Sequence, residues 1–535
     1  MTTTEGTGNV PAPSQPATGT ALQNYRPELA FALVRTLGSD ISGVVDEVTA
    51  ALGSVGYHPQ TVKLSGLLAP ARTPANEHER YELLMNAGDN LRQVVGRGDG
   101  VLLEGLRYIR ANRPVVDHPA AWIIDSLVHP KEVETLHEIW GRRLFVIAID
   151  SPRHSRWDSL TNKFQRRSGM TADAAQKAAL HAINRDAGMA TALDPTMIVP
   201  SKHRLKVAKT LEMADVFVRG DDPQRTRQVV RRLVECVFGH PFHTPTVDEF
   251  GMATAFQAAM TTSTLSRRVG AAIMQDGMVV ATGTNEVPKA SGGVYHAESD
   301  PDGREFVEGL DPSDQIRAQI VTEFLAGLRD EGWLDPSLKK TPVKELLHRF
   351  VNDPKLSESR VLDVIEYGRT THAEMVAITG AARLGISLKG ATLYTTTLPC
   401  HECTRNIIPV GLARVVYLEP YAKSRGAELQ SDAVAMLAHQ QSDAHKLSLE
   451  PFAGFAHHRF PELFSWVPRK QDDVNNVSGR AVALDGQAVV WAARGSSIRR
   501  SLFNPMYGEH EIFTQRLIED TLLDPLPDEG QKEPS

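Results

Sequence analysis

Hydrophobic positions follow two rhythms along this chain. From about residue 26 to 243, unbroken apolar runs such as "LAFALV" and "LFVIAID" alternate with stretches where apolar side chains return every three or four positions. In the first such pair "ELAFALV" reads as a buried strand, a Gly/Ser/Asp turn follows, and Ile41, Val44, Val45, Val48 and Leu52 mark one face of a helix. Repetition of this unit through "GVLLEGLRYIR", "AAWIIDSLVHPKEVETLHEIW" and "ADVFVRGDDPQRTRQVVRRLVECV" predicts a parallel α/β sheet flanked by helices. From about Asp248 the pattern changes. A helical run, "FGMATAFQAAMTTSTLS", precedes two apolar strands around Asp276-Gly277, a strong hairpin signal. A polar stretch with several glycines opens an insertion over about 290–367, whose segments "DQIRAQIVTEFLAGLRDEGWL" and "VKELLHRFV" read as helices. Beyond it come a helix from Thr371, the strand "GATLYTTT", a helix beginning in "PCHEC" and the strand "ARVVYLEP", a β-α-β unit with Gly411 placed to end its helix.

These patterns divide the chain into a tail (1–25), a first domain (26–243), a second domain (248–450) carrying the insertion, and a C-terminal extension (451–535) whose strand-like pieces, among them "RAVALDGQAVVWAARG", suggest no function. The first 20 residues lack the basic start and apolar stretch of a secretory signal and read as a disordered tail, which points to a cytosolic protein. No apolar run is long enough to cross a bilayer. A hydrophobic content of 41% with 23% charged residues fits a globular chain, and a formal charge of −7 argues against a surface coated for non-specific duplex binding. One segment departs from that balance. Arg142–Lys209 holds thirteen Lys/Arg against five Asp, so either an anionic partner meets it or it is a solvated lid.

Only three cysteines occur, Cys236, Cys400 and Cys403. Cys236 falls on an apolar helix face and reads as core, whereas a C-x-x-C pair in a reducing compartment more often marks metal or redox chemistry than a structural disulfide. Pro399 suits the first turn of a helix, which sets Cys400 and Cys403 on one face at the positive end of its dipole, where thiolates are favoured. Two thiolates and the imidazole of His372 make a tetrahedral zinc site with one position left for water. Glu374, two residues past the histidine, can reach that open position as a proton carrier without binding the metal. His372-x-Glu374 with Pro399-Cys400-x-x-Cys403 is the signature of hydrolytic zinc deaminases. His401 and Glu402 read as surface or supporting residues, and His296 and His348 as ordinary polar positions.

The segments "RRVGAAIMQDGMVVATGTNEVP", "THAEMVAI", "TTTLPCHEC" and "YLEPYAKSRGAELQSDAV" resemble the deoxycytidylate deaminase branch, which acts on free nucleotides. With "GTNEVPKASGGVY", "DGREFVEGLDPSD" and the front domain, the resemblance extends to bacterial anti-phage dCTP deaminases. It implies a P-loop kinase-like three-layer α/β domain followed by a cytidine deaminase-like α/β/α domain, a Zn2+ cofactor, and conversion of dCTP or dCMP to the uracil nucleotide so that the phage's cytosine pool is drained. A housekeeping dCMP deaminase and a polynucleotide cytosine deaminase are the alternatives.

The resemblance further implies a homo-oligomer and an inhibitory small RNA, which Arg142–Lys209 could meet with Trp157 and Phe164 as stacking aromatics. Asn285 matches the family's sugar-contacting asparagine, or else satisfies a backbone group at the hairpin end. Arg267 and Arg268 could engage phosphate or be flanking surface charges, and Tyr421 and Lys423 could line the pocket. In the front domain the first turn, with Gly38, Ser39, Asp40 and Gly43, lacks the lysine and following hydroxyl of a working P-loop. Asp40 would repel phosphate there, which leaves either nucleotide binding without chemistry or a scaffold role.

Overall fold

The computed structural model of the chain describes residues 27–113, 120–188, 201–309, 311–353, 356, 367–421, 424–436, 445–465, 518–519 and 521–522. The expected tail and the segment "RAVALDGQAVVWAARG" lie outside them. Two compact units emerge, one from residues 1–244 with 458–535 and one from residues 245–457.

The first unit is built on five parallel strands, β1 (Leu29–Arg35), β2 (His58–Lys63), β3 (Ala120–Leu127), β4 (Leu144–Asp150) and β5 (Val216–Arg219), in the order β5-β4-β1-β3-β2. Leu29 through Val34 are all fully buried, as a central parallel strand covered on both faces requires. Ala30, Ala32 and Val34 join the core made with Leu102 and Leu106 of one helix and Val133, Leu136 and Trp140 of another. On the alternate positions Phe31 stacks on Phe145, with ring centroids 5.3 Å apart. The helix α1 (Ser42–Ser54) follows the first turn; of the predicted face Val44, Val48 and Leu52 are buried, joined by Ala51, while Val45 is half-buried and Ile41 is the N-cap. Cys236 is fully buried.

Part of the charge in the basic segment is paired within the fold. Arg143 and Arg185 are buried, Arg185 against Glu82 and Asp89, while Lys163 pairs with Glu77 and Lys177 with Asp173. Phe164 is fully buried in a cluster with Leu160, Ala179 and Ile183, so it cannot stack on an RNA base. The expected aromatic platform is therefore reduced to Trp157, which packs against the same cluster.

The first turn shows why it departs from a phosphate cradle. Gly38 sits at φ +93°, and a Cβ there would lie 2.9 Å from the Arg156 carbonyl oxygen. The Leu37 amide, which would otherwise face an anion, already donates to the carboxylate of Asp186 at 2.8 Å. Ser39 is buried with its hydroxyl 2.8 Å from Thr36, Asp40 is exposed, and nothing crowds Gly43.

The sheet of the second unit has, among the described residues, six strands, β6 (Gly270–Gln275), β7 (Met278–Thr284), β8 (Thr392–Thr397), β9 (Arg414–Glu419), β10 (Val434–Met436) and β11 (Leu447–Pro451), in the order β10-β11-β9-β8-β6-β7. β6 and β7 form the antiparallel hairpin, turned by Asp276 at φ +50° and Gly277 at φ +78°, and β8 runs parallel to β9. The insertion contributes helices α2 (Pro312–Asp330) and α3 (Val343–Asn352), joined through a small core of Val321, Leu325 and Leu346. Among the described residues no helix is long and apolar enough to cross a membrane.

A buried histidine gives the first unit a pH dependence. His129 caps the helix Pro130–Trp140, its Nδ1 accepting from the Lys131 amide at 3.2 Å, and burial holds its pKa down at about 4. A histidine depressed in the folded state contributes stability that is complete above its unfolded pKa and is lost as pH falls through the folded one. His129→Asn keeps a capping acceptor without the titration. The melting-temperature gap between this variant and wild type should therefore shift in the variant's favour by several degrees between pH 7 and pH 4.5; parallel pH profiles would exclude His129 as the cause.

Candidate metal centre

Two strand-to-helix junctions of the second unit supply the donors. At the first, a bridge between Glu286 and Thr371, with the Thr371 amide donating to the Glu286 carbonyl at 3.0 Å, fixes the chain just before His372. His372 is the N-cap of α4 (Ala373–Arg383). This helix packs on β7 at Gly283, where an added Cβ would fall 2.1 Å from the Ala373 carbonyl oxygen and 2.5 Å from the Ala377 nitrogen. Only glycine permits that approach.

At the second junction β8 ends and α5 (His401–Ile407) begins. The expectation for Pro399 needs correction: Cys400 is the N-cap and Pro399 precedes it, so the proline orients the entry to the helix instead of occupying its first turn. The Cys400 sulfur accepts from the Cys403 amide at 3.4 Å, and its carbonyl accepts from the Thr404 amide and hydroxyl at 2.9 and 2.8 Å. N-cap and third helical position thus face the same side.

His372 Nδ1 lies 3.3 Å from each of the Cys400 and Cys403 sulfurs, and the three donor atoms all fall within 4.8 Å of one another. Tetrahedral zinc with bonds of about 2.3 Å to sulfur and about 2.0 Å to nitrogen would space its donors roughly 3.5–3.8 Å apart, so the residues present fit that ion. Of the three, only Cys400 is biased toward the deprotonated form that binds a metal. Cys400 is drawn below the ordinary thiol range by its hydrogen bond with Cys403 and by His372, while Cys403 is pushed up by the same thiol pair and by burial. His372 rises to about 9, chiefly through its bond to Cys400. A divalent cation would take the place of these protons.

Glu374 is buried in the first turn of α4, and burial pushes its carboxyl up, opposed by the neighbouring His372. It lines a cavity of about 320 Å³ together with His372, Cys400, Arg267, Asn285 and Tyr421. Arg268 is exposed and Lys423 lies outside the described residues. Asn285 is committed to backbone on both sides of its amide: Oδ1 accepts from Val269 N at 2.7 Å and Nδ2 donates to the Arg267 carbonyl at 2.9 Å. It holds the segment that presents Arg267, whose guanidinium is 3.1 Å from Glu419. His401 and Glu402 are half-buried on α5, and His296 and His348 are exposed.

Several residues at the cavity escaped the sequence reading. Thr397, at the end of β8, is buried with its hydroxyl unbonded among the described residues. The insertion brings Glu305, Asp311, Ser313 and Arg317 to the wall. "DPSD" does announce a helix start, with Asp311 as N-cap and Pro312 behind it. No local pattern could say that this start lies beside residues some sixty positions further on.

Residues 348–419, which contain all four motif residues, match the family described as the cytidine and deoxycytidylate deaminase zinc-binding region. The chain is 30% identical over 175 residues to the deoxycytidylate deaminase of Enterobacteria phage T2, covering 32% of this chain and 79% of that one. It is 44% identical over 69 residues to a probable deoxycytidylate deaminase of Drosophila melanogaster, covering 12% of this chain and 33% of the other. Among solved structures it is similar, at 16% identity and a TM-score of 0.22, to dCMP deaminase from the cyanophage S-TIM5 in complex with dCMP and dUMP, covering 39% of this chain and 100% of that one. The chain belongs to the deoxycytidylate deaminase family.

Two outcomes follow. Protein purified in zinc should carry one ion per chain by elemental analysis, and Cys400→Ser or Cys403→Ser should carry almost none. Gly283→Ala should cost about 1–3 kcal/mol by overpacking and reduce metal retention; an unchanged melting temperature and full zinc content would refute the close approach of α4.

Proposed function

We propose that the protein deaminates free deoxycytidine nucleotides, dCTP or dCMP, with water as the nucleophile and zinc held by His372, Cys400 and Cys403. The observation that carries this reading is the convergence of two thiols and an imidazole, of which Cys400 and His372 line a cavity together with a buried carboxyl, Glu374, that is not one of the three donors. When bound, zinc would supply Lewis-acid chemistry, lowering the pKa of a water from about 15.7 toward about 7. The chain's own part is proton transfer. Glu374 accepts a proton from the attacking water and delivers it to N3 of cytosine. Water oxygen adds at C4, and Glu374 passes the second proton to the exocyclic amine, which leaves as ammonia while C4 becomes a carbonyl. A carboxyl whose pKa is raised by burial suits both acceptance and return.

Nucleotide binding would fall to the cavity wall. Arg267 and Arg317 supply positive charge for phosphate, Asn285 fixes the Arg267 segment, and Thr397 offers an unbonded hydroxyl. Depletion of the dCTP pool during phage infection is the role we assign, with a housekeeping supply of dUMP as the second reading.

Purified enzyme given dCMP and dCTP separately should release ammonia from at least one, and Glu374→Ala should retain its zinc and lose turnover by about 10²–10⁴ or more. Substantial residual activity in that variant would refute the role of Glu374. Activity on dCMP alone, with an unchanged dCTP pool in infected cells, would favour the housekeeping reading.

A further inference from the structure

Among the described residues, three carboxyls line the deaminase cavity: Glu305, Asp311 and Glu374. Glu374 is assigned to proton transfer. Asp311 is half-buried, with Oδ1 accepting from the Ser313 amide at 2.8 Å. Glu305, which belongs to the insertion, is only 3% exposed. Its Oε2 accepts from the Thr264 hydroxyl at 3.0 Å and the Leu265 amide at 3.4 Å, whereas Oε1 has neither a hydrogen bond nor an ion-pair partner among the described residues. A carboxylate oxygen withheld from bulk water needs a donor. The cavity is where one can arrive.

The aim of this carboxyl is fixed locally. Just before it, Arg304 and Asp302 form a two-pronged pair at 2.9 and 2.7 Å, and a Cβ on Gly303 between them would fall 2.6 Å from the Tyr295 ring. Close packing on that side and the bonds to Thr264 and Leu265 on the other hold Glu305 in place before any substrate enters.

Substrate chemistry narrows the choice of donor. A deoxycytidine nucleotide with ionised phosphates carries two kinds of N–H or O–H group, the amine on C4 and the hydroxyl on C3′. The amine leaves from the carbon that water attacks, so it belongs beside Glu374 and the metal donors. Glu305 is bonded instead to Thr264 and Leu265, just ahead of Arg267, the residue assigned to phosphate. The 3′-hydroxyl, on the sugar that joins base to phosphate, is the donor left for it. Asn285, expected from the sequence to meet the sugar, is engaged with backbone at both ends of its amide.

On the deaminase reading above, on which this rests, we propose that Glu305 sets sugar specificity: Oε1 accepts the hydrogen of a free 3′-hydroxyl, so the cavity takes nucleotides whose 3′ position is neither missing nor esterified. A 2′,3′-dideoxynucleotide leaves Oε1 buried without a partner. A 3′-phosphate, or a strand continuing from the 3′ oxygen, brings a second anion against it.

Ammonia release by the full chain tests this with three substrates: the deoxycytidine nucleotide it turns over, the 2′,3′-dideoxy analogue of that nucleotide, and its 3′-phosphate. Wild type should lose about a hundredfold or more in kcat/KM on each analogue. Glu305→Ala should fall on the natural nucleotide to about the wild-type level on the dideoxy analogue, and should treat those two substrates alike. Glu305→Gln keeps an oxygen for Thr264 and Leu265, so it should hold its melting temperature and its zinc while gaining about tenfold or more on the 3′-phosphate relative to the natural nucleotide. A purely supporting role would lower all three substrates together and leave their ratios at the wild-type values. That result in both variants, or wild-type turnover of the dideoxy analogue at the natural rate, would overturn the proposal. Ammonia from none of the three in wild type would instead remove the deaminase reading, and this role with it.

Discussion

The absence of a side chain at position 283 is the constraint on which the metal centre depends. It lets α4 settle onto β7 until the Ala373 carbonyl occupies the place of a Cβ, and that depth puts His372 against two sulfurs arriving from another junction. The donors do not come from one rigid element. Each is the N-cap of a helix or lies in its first turn; α5 follows β8, whose ladder with β9 sets its end, and α4 follows the bridge at Thr371. Close packing converts a displacement of either helix directly into lost overlap at the ion. Glu374 shares the consequence, because it rides one turn of the same helix as His372.

Around this centre, buried carboxylates act as internal struts. Glu286 accepts from the Ser263 amide and hydroxyl at 2.9 and 3.0 Å, and Glu305 accepts from the Thr264 hydroxyl at 3.0 Å. Together with Asn285 they hold residues 262–267 along the cavity. The front unit uses a carboxylate in a different way. Asp186 occupies the amide of a turn that in other α/β proteins is left open for phosphate.

Much of this was legible before any coordinates, and the reasons are local. A buried parallel strand needs an unbroken apolar run, and residues 29–34 show one; a two-residue hairpin needs positive φ, and Asp276-Gly277 supplies it. The spacing of Cys400 and Cys403 reveals a shared helix face for the same reason. What was hidden is long-range. Asn285 allowed a backbone role as one of two readings but did not say that its amide joins Val269 to Arg267, Phe164 gives no sign that its helix faces inward within a basic stretch, and Arg317 belongs to an insertion whose return to the cavity is set by tertiary packing. Pro399 was displaced by two positions, the ordinary uncertainty of a helix boundary.

The pairing of Glu286 with Thr371 pinches the two ends of the insertion together at its base. The intervening lobe is thereby tethered like a bead on a clasp, and the entropy of closing such a loop grows only with the logarithm of its length. Residues could be gained or trimmed between those anchors at little thermodynamic penalty to the catalytic frame. Substrate preference in this architecture can therefore drift through lobe exchange while the chemistry beneath it stays unaltered.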